Sequence, residues 1–148
     1  MISSIDQTVK SARNAVIMGC GRIGASVAFS LVERGYMVRA MDLDSSAFDV
    51  LPHSIVESGQ IVPIIGDGTL EFDLRRASVP DANVFVAVTG RDSFNALAAQ
   101  LAKHILQVPT VICRINDSTR SEMYCGLGLV TVSATKLVSG MVLEATEA

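Results

Sequence analysis

Two hydrophobic periods alternate along this chain. Short apolar runs rich in β-branched residues recur at positions 15–17, 36–41, 61–65, 83–89, 110–115 and 129–133, and each predicts a strand. Between them apolar residues return every three or four positions, the spacing of a helix with one covered face. Ile23, Val27, Leu31 and Val32 mark the first such helix, which Gly35 ends. A short helix is expected over 45–51, stopped by Pro52, and a polar connection over 53–60. Residues 70–77 predict another brief helix, with Val79-Pro80 at its exit. Phe94, Leu97, Ala98, Leu101 and Ile105 form one stripe on a helix expected over 93–106. Asn116-Asp117-Ser118 caps a helix running to Tyr124, and residues 134–148 read as a final helix.

Strands that alternate with helices imply a parallel sheet with right-handed crossovers and helices on both faces. The expected fold is therefore α/β, a doubly wound six-stranded sheet of order 3-2-1-4-5-6, as one dinucleotide-binding domain over 13–148. Residues 1–12 are read as a polar lead-in. The run at 83–89 is almost continuously apolar, as a central strand covered on both faces requires. Pro63 has no N–H for a ladder, so its strand is placed at a sheet edge.

The 148-residue chain is 49% apolar and 18% charged, so it can build a core. A net charge of −3 without a basic block argues against nucleic acid and membrane surfaces as partners. No apolar run reaches the roughly 18 residues that span a bilayer, and no signal core is evident, so a cytoplasmic protein is expected. Cys20, Cys113 and Cys125 are odd in number and form no C-x-x-C pair, which points to neither a disulfide framework nor a zinc site. His53 falls in the polar connection and His104 on a helix outside the stripe; neither has a catalytic partner in sequence.

The candidate chemistry lies in Met18-Gly19-Cys20-Gly21-Arg22-Ile23-Gly24, where the first strand turns into the first helix. Gly19 allows the tight turn, Gly21 lets a pyrophosphate approach the backbone, and Gly24 lets helix and strand pack closely. The helix N-terminus then presents free N–H groups to a phosphate. Asp42 follows the second strand, eighteen residues past Gly24, where a carboxylate grips the ribose hydroxyls of adenosine. Its rival role is to cap the next helix, a task Asp44 or Ser45 can also fill. Leu43, rather than an arginine, argues against NADP. Gly66, Asp67 and Gly68 are expected to edge the adenine, with Asp67 either bonding the ligand or ordering its own turn. Thr89 and Gly90 face the switch crevice, and residues 114–116 follow the fifth strand. Arg22 is read as a phosphate contact, or else as a solvated first-turn side chain. Cys20 is either a small residue in a crowded bend or a thiol activated by the helix dipole. Asp92 and Asn95 are assigned to capping and packing.

The blocks GCGRIG, MDLD, GDGT, VFVAVTGRDSFNALAAQLAK, VICRINDS and GLGLVTVS together resemble the TrkA-N (KTN, or RCK N-terminal) domain family over about 14–141. That resemblance implies a regulatory module for bacterial potassium channels and transporters, not an enzyme, which binds NAD(H), ATP, ADP or AMP. Gly19, Gly21, Arg22, Gly24 and Asp42 match its phosphate and ribose positions, with Cys20, Ile23 and Leu43 beside them. Asp67 and Gly68 match the adenine-side block, and Thr89 and Gly90 the loop after the fourth strand. Cys125 stands where some ATP-responsive members carry a glutamate for metal or phosphate. The family resemblance also implies a homodimer or a higher ring acting on a separate membrane potassium channel or transporter subunit, at the inner face of the membrane. The last helix supports pairing independently: Leu137, Val138, Met141, Val142 and Ala145 share an apolar face with no later strand to cover it. The alternatives are a small NAD-dependent oxidoreductase, for which no Tyr-x-x-x-Lys pair exists at Tyr36 or Tyr124, and an oligomerisation module with a vestigial site.

Overall fold

Six parallel strands lie in the order 3-2-1-4-5-6, as the alternation of elements predicts. In the computed structural model, which describes residues 13–148, they are β1 (Arg13–Met18), β2 (Tyr36–Asp42), β3 (Ile61–Ile65), β4 (Val84–Ala87), β5 (Thr110–Arg114) and β6 (Val130–Val132). The expected lead-in, residues 1–12, lies outside the described residues. β3 closes one side of the sheet, so Pro63, in register with Ala40, has a ladder neighbour on one side alone.

The pleat divides the core. Val16, Met18, Phe85, Ala87, Val111 and Cys113 point to one face. Ala15, Ile17, Val38, Ala40 and Val86 point to the other. α3 (Glu71–Arg76) and α4 (Asp92–Gln100) cover the first face, and α1 (Arg22–Glu33) and α2 (His53–Glu57) the second. β4 is buried on both faces, as its composition requires. α5 (Ser118–Cys125) and α6 (Ala134–Thr146) complete the chain, capped by the side chains of Asp117 and Ser133.

Five local expectations are corrected. The polar connection at 53–60 contains α2, because Ile55 and Val56 pack against the core and their N–H groups both reach Pro52 O. Residues 45–50 form a 3-10 turn rather than an α-helix, and Asp44 starts it by accepting from Ser46 N at 2.9 Å. These hydrogen bonds from Ser46 lower the Asp44 pKa. On α1 the buried positions are Gly24 and Ala28, while Ile23 is 41% exposed. On α4 the sheet-facing residues are Asn95, Ala98 and Ala99, followed by Ala102; Leu97 and Ile105 face outward. The fully buried positions of both helices carry small side chains or Asn95, while Val27, Leu31 and Val32 of α1 pack partly buried against the core as expected. The expected 93–106 helix also ends in a π turn over Leu101–Ile105, with Leu106 N bonded to Leu101 O. That extra residue turns Leu106 inward and leaves Ile105 outside.

The tightest contact lies in the first turn. Gly19 has φ +104°, and a Cβ there would come within 2.9 Å of Thr89 N. A Cβ on Gly24 would overlap the Gly19 carbonyl oxygen, whereas one on Gly21 would meet nothing within 4 Å. We therefore expect Gly24→Ala to lower stability by about 2 kcal/mol or more, and Gly21→Ala to stay within about 0.5 kcal/mol of the parent. Urea unfolding of the two variants checks the contrast.

Candidate functional site

A cleft of about 590 Å³ opens at the carboxyl ends of the strands, where doubly wound sheets place their ligands. The glycine turn forms its floor. Gly19 N donates to Met41 O at 2.8 Å and Val88 N to Met18 O at 2.9 Å, so the turn is pinned to β2 and to the end of β4. α1 begins at Gly21 with no capping side chain, which leaves the amides of its first turn to other acceptors.

Asp42 points at this turn. One carboxylate oxygen accepts from Cys20 N at 2.8 Å and the other from Asp44 N at 3.0 Å. The caps are thus divided: Asp44 serves the following turn, and Asp42 lines the cleft. Each Asp42 oxygen retains a lone pair for a further donor. Cys20 is 1% exposed, and burial, then the Asp42 carboxylate, pushes its thiol pKa up. It is a small buried group in the bend, not an activated thiol. Cys113 is raised to about 11, chiefly by burial and then by Cys125 and Asp92.

Asp67 orders its own turn, accepting from Thr69 N at 2.9 Å and Thr69 Oγ1 at 2.6 Å, and still lines the cleft. Its N–H is held by Asp73 Oδ2 at 2.8 Å. Gly68 rests on Met18, leaving no room for a side chain.

The far wall is held by a buried amide. Asn95 Oδ1 accepts from Thr89 N at 2.9 Å and Thr89 Oγ1 at 2.6 Å, while Nδ2 donates to Thr89 O and Arg114 O, both at 3.0 Å. One side chain thereby joins the ends of β4 and β5. Asp92 does not cap its own helix; its Oδ2 accepts from Asn116 N at 2.9 Å and Asp117 N at 3.1 Å.

Of the residues singled out in sequence, Met18, Gly19, Gly21, Arg22, Ile23, Asp42, Leu43, Gly66, Asp67, Gly68, Thr89, Gly90 and Arg114 line the cleft. Cys20 and Gly24 lie outside its walls and shape the bend beneath it. Sequence reasoning missed Thr69, Val88, Arg91 and Phe94. Phe94, expected on a core stripe, stands on the wall, with the Arg91 guanidinium 4.0 Å from its ring centroid. The available signal was position: Arg91 follows Gly90, at the end of the central strand. His53 pairs with Glu57 at 2.9 Å on the surface, and His104 is exposed. Among the described residues no His, Cys, Asp and Glu group is placed to hold a metal.

The family model described as TrkA-N domain matches residues 15–136. A Trk system potassium uptake protein TrkA from Streptomyces coelicolor is 37% identical over 132 residues, covering 87% of this chain and 56% of that protein. The chain thus spans about half the length of such relatives. In fold it is similar to the TrkA-N domain of the inner membrane protein ybaL from Escherichia coli, with a TM-score of 0.77 at 15% identity, covering 90% of this chain and 96% of that one. A GsuK channel bound to NAD gives 0.75 at 23% identity, covering 93% of this chain and 24% of that one.

Replacing Asn95 by alanine would strand the Thr89 and Arg114 backbone groups. We expect Asn95→Ala to cost about 2–4 kcal/mol, read as a lower urea midpoint at unchanged m-value.

Proposed function

The chain belongs to the TrkA-N domain family, and from that premise we propose that it is a nucleotide-binding regulatory module of potassium transport rather than an enzyme. The observation that carries this reading is the bond from Cys20 N to Asp42 Oδ2, which fixes an acid beside a bare glycine turn on one cleft wall. The ligand is an adenine nucleotide: NAD(H), or AMP, ADP or ATP. Its phosphates meet the amides of the turn, with Arg22 adding a charged contact. Asp42 accepts from the ribose hydroxyls, and Leu43 beside it offers a 2′-phosphate no cation, against NADP. Asp67 and Gly68 edge the adenine, Ile23 flanks the phosphates, and Thr89 and Gly90 face the crevice. Cys20 and Gly24 act from beneath by shaping the turn. The potassium uptake relative and the NAD-bound GsuK neighbour support this reading.

A ligand regulates only if it binds two arrangements unequally. The moving partner in this proposal is a second copy of the chain, seated on α6, where Leu137, Val138, Met141, Val142 and Leu143 are each more than half exposed. Together the copies act on a separate potassium channel or transporter chain at the cytoplasmic face of the membrane. No helix among the described residues is long and apolar enough to cross a membrane itself.

Thermal-shift titration with NAD+, NADH, ATP, ADP and AMP tests the ligand. A binder at a hundredfold excess over its Kd stabilises by about 2.7 kcal/mol; no shift with any of the five sinks the reading. Gly21→Val should abolish the shift while the parent melting temperature is nearly kept, because the added side chain projects into open cleft. Sustained NADH turnover with small hydroxy acids or aldehydes would favour the oxidoreductase instead. For the assembly, Val138→Glu with Met141→Glu should convert a dimer into a monomer by light scattering, with nucleotide affinity retained.

A further inference from the structure

We propose that the β3 side of the domain is a docking surface for a basic, amphipathic segment of another protein chain. The surface is read from the residues of this chain; that the segment belongs to a membrane potassium channel or transporter rests on the reading above.

An uncovered apolar patch gathers at the carboxyl end of β3. Leu43, Val50, Ile65 and Leu70 are each more than half exposed, and Phe72 is 76% exposed. Apolar residues exposed singly are ordinary, but a group of them marks a contact surface. Ile65 is in register with Asp42, the neighbour of Leu43. Leu70 N donates to Asp67 O at 3.0 Å, which brings the start of α3 back to the strand end. Phe72 lies one turn before Arg76, whose guanidinium donates to Ile65 O at 2.7 Å. Val50 ends the 3-10 turn that follows Leu43 and Asp44. This patch is separate from the α6 face: β3 stands at one end of the strand order, and β6, which leads into α6, at the other.

The edge refuses a further strand. Gly66 N donates to Asp42 O, so alternate amides of β3 point at β2, and the nitrogen of Pro63, an odd number of residues away, faces the open side without a hydrogen. An occupant therefore binds by its side chains, and the surroundings set their charge. Between Arg39 and Arg75 the chain has seven acidic residues and no Lys or Arg. Glu71 and Asp73 are answered by Arg75 and Arg76 on α3, and Asp42 and Asp67 line the cleft. Asp44 and Asp49 are exposed, with no Lys or Arg nitrogen within 4.0 Å among the described residues, and Glu57 pairs with His53. Such a rim repels nucleic acid and anionic lipid. Lys and Arg beside apolar side chains complement it, and cytoplasmic segments of membrane proteins carry an excess of Lys and Arg. Leu43 belongs to both the patch and the cleft wall, which sets the segment beside the nucleotide.

Titration of the isotope-labelled full chain with a short amphipathic peptide of leucine and lysine, followed by its amide chemical shifts, tests this. The same peptide with glutamate in place of lysine is the comparison. We expect only the lysine peptide to bind, to move the amides of residues 43–50 and 65–72, and to bind more weakly as salt is raised. Phe72→Ser combined with Leu70→Ser should weaken it about tenfold, equivalent to about 1.4 kcal/mol, and Asp49→Lys should weaken it at low salt. These exposed substitutions keep the fold, and AMP affinity should stay within about twofold of the parent. Shifts confined to α6, equal binding of the two peptides, no binding of either, or an affinity unchanged in the double variant each overturn the docking surface. A parent dimer that the double variant turns into a monomer assigns the face to a second copy and overturns it as well. AMP titration of the parent decides the nucleotide reading separately: if AMP does not bind while the peptide still seats at 65–72, that reading falls and the surface stands.

Discussion

Where the first turn passes over the end of β4, two stretches of backbone meet with no side chain between them. Gly24 lies against the Gly19 carbonyl, and Gly19 against Thr89 N. Everything at the carboxyl edge of the sheet is placed by that approach: the entry of α1, the spacing of β1 and β4, and the floor of the cleft. Glycine is required twice, once for a positive φ and once for want of a Cβ. α4 approaches the sheet under the same constraint, with Asn95, Ala98 and Ala99 as its buried face. Thin faces allow close layers, and close layers bring the strand ends within reach of one another.

Strand ends in a parallel sheet leave backbone groups that the ladder no longer pairs. This chain meets them with side-chain oxygens. Asp42 takes Cys20 N and Asp44 N, Asp73 takes Asp67 N, Asp92 takes Asn116 N and Asp117 N, and Asn95 takes Thr89 N. Most of these acceptors are carboxylates, whose hydrogen bonds to N–H groups are stronger than neutral ones. The loops around the cleft are consequently tied by bonds between elements and not only by their own turns. A carboxylate that braces a loop also retains lone pairs, so at Asp42 bracing and ligand contact are compatible.

The strands, their order and the edge position of Pro63 were legible because they depend on local composition and on the handedness of crossovers. The glycine turn and Asp42 were legible because their spacing is set by one strand, one turn and one helix. Helix faces were legible only in part: Val27, Leu31, Val32, Ala98 and Leu101 do pack against the core. Periodicity assumes that the largest apolar residues turn inward, yet Ile23, Leu97 and Ile105 face outward while glycine, alanine and asparagine lie beneath. The π turn after α4 added a phase shift that no spacing reveals. Arg91 and Phe94 escaped for a related reason: a helix start beside a crevice has a wall-facing side as well as a core-facing one. The choice between Asp42 and Asp44 as cap needed the actual turn, since the two are two residues apart.

The route from the cleft to the uncovered helix is short. Arg114 lines the cleft and is in register with Val132 on β6. Ile115 N bonds Val132 O at 2.9 Å, and the next residue, Ser133, caps α6 through Lys136 N. β6 is further tied to α5 where Thr131 Oγ1 meets Ser121 Oγ at 2.6 Å and Cys125 Sγ at 3.1 Å. A displacement of the β5 end would therefore act on the start of α6 across one strand pairing, not through a long chain of contacts. Contiguity alone is not coupling; the ligand must favour one placement of that end over another. An arginine whose Nε lacks a partner suits that requirement. Any anionic or neutral acceptor arriving in the cleft changes the balance of forces on Arg114, and the residue's main chain already belongs to the sheet that carries α6.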